Sequence, residues 1–88
     1  MIKFWAKVLK DHKIIKQTTA QYDVDRIDWS LFYDYMSALS RSMDLPSPIV
    51  IKAHIFDFAK FNFVKFTPSD FIEPVNFDQM VVELIKDK

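Results

Sequence analysis

From Ile2 to Leu9 the chain alternates, with Ile2, Phe4, Ala6 and Val8 on one side and Lys3, Trp5, Lys7 and Leu9 on the other. A period of two is the pattern of a strand with one buried face. A turn at Lys10–Asp11–His12–Lys13 returns the chain, and residues 14–19, rich in β-branched side chains, suit the second strand of a hairpin that lacks the usual Asn-Gly or Asp-Gly signal. The period then lengthens to that of a helix. Asp25, followed by Asp28, offers a cap and first-turn acidity for a helix running to about Met43. Its apolar positions, among them Ile27, Leu31, Phe32, Tyr35, Met36, Leu39 and Met43, cover about half of the circumference at ~100° per residue. Such an arc is wide for one contact. Pro46 and Pro48 bias the residues before them away from helical geometry and end this half of the chain.

Residues 49–66 are apolar throughout and contain no glycine, proline or Asn-Gly. Phe56 and Phe58 fall on even positions and Phe61 and Phe63 on odd ones, a change of parity that predicts two strands turning at Ala59-Lys60. Beyond Pro68 and Pro74, Asn76 and Gln79 form a cap pair, and Phe77, Met80, Val81 and Leu84 make a stripe for a closing helix. The expected fold is therefore α+β in the order ββαββα, an antiparallel four-stranded sheet with two helices on one face. That order is obtained by moving the last strand of a ferredoxin-like βαββαβ layout to the front.

The 88 residues suit one domain, spanning the whole chain, with a modest core. The composition contains no glycine and no cysteine, which excludes glycine-dependent phosphate loops, dinucleotide fingerprints, cysteine nucleophiles and disulfides. Three lysines interrupt the apolar amino terminus and no run approaches the ~20 residues of a membrane span, so a cytoplasmic protein without membrane partners is expected. Twelve basic residues balance twelve acidic ones, but unevenly along the chain. Residues 1–22 carry five lysines against one aspartate, and residues 49–66 three against one; residues 23–48 and 67–88 each carry two basic groups against five acidic. Predicted strands are basic and predicted helices acidic.

With helices on one side, the other sheet face is expected to present Lys3, Trp5 and Lys7 beside Lys52, His54, Phe61, Phe63 and Lys65. Lysines interleaved with aromatics can pair with phosphates and stack on bases, the requirement of single-stranded nucleic acid. The fragment Ala59-Lys60-Phe61-Asn62-Phe63-Val64-Lys65-Phe66 partly resembles the octamer of the RNA-recognition-motif family, with Phe61, Phe63, Val64 and Phe66 at its aromatic and valine positions. Ala59 stands where that motif has a basic residue, Lys60 and Asn62 replace its small positions, and no stacking aromatic occurs in 14–19. Strands apolar on both faces normally have both covered, and a short chain can achieve this by pairing with itself or another protein. A homodimeric or protein-binding module, using the open sheet or the first helix, is the favoured expectation, with nucleic-acid binding the alternative.

Catalysis is not expected. His12 reads as a solvated turn residue, and His54, among apolar neighbours, as a satisfied or edge histidine rather than a base. The two histidines have no metal-site spacing, and Asp23, Asp25 and Asp28 coincide with a helix start, where capping accounts for them. No cofactor is implied. Ser40 and Ser42, flanking Arg41, read as solvated surface.

Overall fold

The computed structural model describes residues 1–85. Strands β1 (Ile2–Lys10) and β2 (Lys13–Tyr22) form the expected hairpin. Two helices follow, α1 (Phe32–Ser42) and α2 (Lys52–Phe61), and then β3 (Phe63–Phe66) and β4 (Gln79–Ile85). The sheet is antiparallel throughout, in the order β2-β1-β4-β3. The α+β class, the four-stranded antiparallel sheet and the two helices agree with the sequence. The order of elements does not: it is ββααββ, so the permuted ferredoxin-like layout does not apply.

Two segments account for the difference. Residues 52–61 are a helix and not half of a hairpin, because only Asn62 supplies a place for the chain to reverse. Asn62 adopts a left-handed conformation (φ 62°) and donates its N–H to the Phe58 carbonyl at 2.9 Å, the closing bond of a helix end. The parity of the phenylalanines was misleading: Phe56 is 67% exposed and Phe58 1%, as helical spacing dictates. Conversely, residues 79–85 are a strand, and the Asn76–Gln79 cap pair with its closing helix is not formed. Met80, Val82 and Leu84 point to the covered side, and seven residues containing paired valines suit a central strand better than two turns of helix.

The start of α1 is also displaced. Asp28, not Asp25, is the cap: its carboxylate accepts from the Ser30 N–H at 3.0 Å, and a 3-10 turn over Trp29–Leu31 leads into Phe32. The helix ends before the prolines are reached, where Asp44 turns left-handed (φ 58°) and the Leu45 N–H reaches back to the Ser40 carbonyl at 2.9 Å. The hairpin turn uses the same device twice, at Asp11 (φ 53°) and His12 (φ 66°). Aspartate, asparagine and histidine thus occupy every left-handed position among the described residues, replacing the absent glycine.

Both helices lie on the side of β1 that carries Ile2, Phe4, Ala6 and Val8. The Phe4 ring, fully buried, stands 5.1 Å from Tyr35 of α1, 5.8 Å from Phe58 of α2 and 5.9 Å from Tyr22 of β2. Most of the apolar arc predicted for the first helix is spent here, Phe32, Tyr35, Met36, Leu39 and the following Met43 being buried, while Leu31, in the 3-10 turn, stays exposed. Ser40 is buried with them, its hydroxyl donating to the Met36 carbonyl at 2.9 Å, so it is not the solvated residue its neighbours suggested. Ser42 remains exposed and meets Thr18 at 2.9 Å, tying α1 to β2. No helix of the described residues is long and apolar enough to cross a membrane.

Candidate contact surface

The register decides which side chains share the uncovered face. Trp5 stands opposite Thr19 on β2 and Glu83 on β4, and Glu83 opposite Phe63 on β3. The adjacent row runs Gln17, Lys7, Val81, Lys65, and Leu9 faces Gln79 in the next. Directly opposed residues in an antiparallel sheet lie on one face. Five of the eight residues expected on this surface are therefore brought together: Lys3, Trp5, Lys7, Phe63 and Lys65. Phe61 ends α2 and is half exposed, its ring 6.0 Å from that of Phe63, which extends the surface past the β3 edge.

Lys52 and His54 belong elsewhere, because their segment is helical and packs on the covered side. Lys52 is the exposed first residue of α2. His54 is buried and structural: its Nδ1 accepts the Ile51 N–H at 3.1 Å, capping a helix whose N-cap isoleucine has no side-chain acceptor. The same bond leaves Nε2 to carry the proton, directed at Asp70 Oδ2 3.6 Å away. Asp70 also accepts from the Thr67 N–H at 2.8 Å. His54 and Asp70 thus fasten the start of α2 to the turn that follows β3.

The octamer at 59–66 is divided in the same way, three residues in α2, one in the left-handed turn and four in β3. Its aromatics do not lie side by side on a strand: Phe61 is helical, Phe63 is on the open face and Phe66 is buried against His54 at 4.6 Å between ring centres. Leu9, which the alternation already sets on the side of Trp5 and Lys7, is joined on this face by two residues that the sequence reading missed, Val81 and Glu83. Reading 79–85 as a strand would have found both.

One of the three lysines on this face is paired within the plane. The Lys7 ammonium lies 3.5 Å from Glu83 Oε1 and 4.1 Å from the centre of the Trp5 ring. Trp5 donates its indole N–H to the Gln17 side-chain oxygen at 3.0 Å, which holds the ring beside Lys7. Lys65 lies 6.0 Å from the Phe63 ring. Between these groups, Lys7, Leu9, Phe63, Lys65, Val81 and Glu83 border a shallow depression of about 300 Å³. Val81 at its floor is only 6% exposed although no second layer covers it, because lysine stems and the neighbouring rings shield it. Asp23, Asp25 and Asp28 do not converge on a metal site, and no group of three potential metal ligands occurs among the described residues.

No protein-family model, no curated protein and no solved structure matches this chain.

Proposed function

We propose that this chain is a small, non-catalytic interaction module that binds protein, a second copy of itself included, through the uncovered face of its sheet. The observation that carries this reading is the partly exposed apolar strip of Trp5, Leu9 and Phe63 around a buried Val81 on a face with no covering layer, bordered by a lysine and a glutamate that already pair with each other. Apolar area framed by both signs of charge suits a protein partner, which can bury the strip and continue the charge pattern at its rim.

Single-stranded nucleic acid asks for the opposite arrangement, open ring faces and cations free for phosphate. Here Lys7 is held by Glu83 and lies against Trp5. Lys3 and Lys65 are the face lysines that contact no carboxylate among the described residues, and two such contacts would give a salt slope of only about −1.4 in log K against log salt.

Site-resolved NMR over a concentration series tests the proposal, with resonances of the Trp5 indole N–H, Phe63 and Val81 as reporters. They are expected to move together as the chain associates, and Phe63→Lys, which sets a charge in the strip, is expected to hold the Trp5 and Val81 resonances at their dilute positions. A labelled single-stranded oligonucleotide supplies the opposing arm. Reporters that never move, or oligonucleotide binding that falls steeply with salt and is lost with Trp5, Lys7 and Phe63, would reject it.

A further inference from the structure

The two edges of the sheet are unequal. β3 is four residues long, but β2, at the other edge, runs for ten. An edge strand exposes alternate N–H and C=O groups that can pair with another chain, and proteins blunt such edges with charge, proline, short length or a bulge. In β2 those devices sit at one end. Lys13 and Lys16 are its only charges, and the register irregularity lies beside them, opposite Val8 and Leu9. The Lys16 ammonium is drawn inward, donating to the Met43 carbonyl at 2.9 Å. From Gln17 to Tyr22 the edge is uncharged, free of proline and in unbroken register with β1.

The charges at the two ends identify the partner. β2 begins with Lys13 and Lys16 and is followed at once by Asp23 and Asp25. A strand of the same sequence laid antiparallel sets the basic start of each copy beside the acidic end of the other, whereas a parallel copy opposes like to like. We propose that β2 pairs edge to edge, antiparallel, with β2 of a second copy, joining two four-stranded sheets into one of eight strands. With the two-fold axis at Thr18, Gln17 stands across from Thr19 of the second copy, and Lys13 lies near its Asp23. The axis is normal to the sheet, so both helical layers fall on one side and the two uncovered faces form one surface on the other. This edge is separate from the uncovered face and stands or falls independently of the contact proposed there.

Two double variants of the full chain test the pairing. Gln17→Lys with Thr19→Lys places like charges opposite each other across the axis, and Gln17→Glu with Thr19→Glu does the same with the other sign. In sedimentation velocity at micromolar concentration the unchanged chain is expected to be a dimer. Each double variant is expected to associate at least about tenfold more weakly with an unchanged circular dichroism spectrum, and an equimolar mixture of the two to recover the dimer. Amide exchange separates this edge from the face: β2 amides gain protection with concentration, whether or not the Phe63 and Val81 reporters on the far strands move. A chain that stays monomeric, a Lys variant that still dimerises fully, a mixture that does not recover, or concentration-dependent shifts confined to Trp5, Phe63 and Val81 would overturn the proposal.

Discussion

Replacing His12 by glycine is expected to stabilise this protein. His12 sits at φ 66° in the two-residue turn between β1 and β2, where a β-carbon crowds the backbone at a cost of about 1–2 kcal/mol. Glycine removes that cost and gives back roughly 0.5–1 kcal/mol through the greater freedom of the unfolded chain. The difference is a net gain of about 0.5–1 kcal/mol. The His12 side chain is exposed and makes no hydrogen bond among the described residues, so nothing else is lost. Asp11, its neighbour at φ 53°, should gain less on the same replacement, because aspartate tolerates the left-handed region better. Its anchoring bond survives, since it is the backbone N–H of Asp11 that donates to Asp78 Oδ2 at 2.8 Å. For a domain of this length each kcal/mol moves the melting temperature by about 4–8 °C, so His12→Gly should raise it by roughly 2–8 °C in a thermal scan. His12→Val, with a β-branched chain where φ is positive, should lower it. A glycine variant no more stable than the parent, together with a harmless valine variant, would refute the left-handed turn and the argument that aspartate, asparagine and histidine stand in for glycine in this chain.

Two further outcomes follow from the packing. Phe4→Ala empties the point where α1, α2 and β2 meet and should cost about 3–5 kcal/mol in urea denaturation, a large share of the total for a small domain. Asp70→Ala removes the acceptor of the Thr67 N–H and the carboxylate that faces His54, and should cost about 1–3 kcal/mol, with amide exchange accelerating first at the start of α2; uniform acceleration across the sheet would contradict the local role assigned to that pair.

The hairpin was legible because its signal is local. Alternation along residues 2–9 states which side chains are buried, and Phe4, Ala6 and Val8 are each fully so. The burial of the α1 arc followed from the same kind of pattern, although Asp28 and a 3-10 turn, rather than Asp25, begin it. The second half was misread where two periods overlap. Residues 79–85 satisfy a helical stripe through Met80, Val81 and Leu84 and also a strand through Met80, Val82 and Leu84; only pairing with β1, from Lys3↔Ile85 to Leu9↔Gln79, selects the strand. In residues 49–66 the shift in phenylalanine parity marked no reversal: Phe58 and Phe61 both lie in α2, and the chain turns at Asn62, between two phenylalanines of equal parity, to join a helix to a strand. The candidate surface shared that error: Trp5 and Lys7 were placed from a local pattern, whereas Lys52 and His54 were placed by a hairpin that does not form.

By itself the sequence determined the first hairpin, an amphipathic helix ending ahead of Pro46, the α+β composition and the exclusion of glycine- and cysteine-dependent chemistry. Each follows from side-chain chemistry or from a periodicity contained within a dozen residues. Only the tertiary structure decided that β4 lies between β1 and β3, that β2 is left at the edge, and that Glu83 stands beside Lys7 across a separation of 76 residues. Sheet order is a matter of which strand finishes next to which, and that choice is made by strand pairing and by burial beneath the two helices, which join segments far apart in the chain and which no single segment carries. The uncovered face and the open β2 edge are consequences of that order.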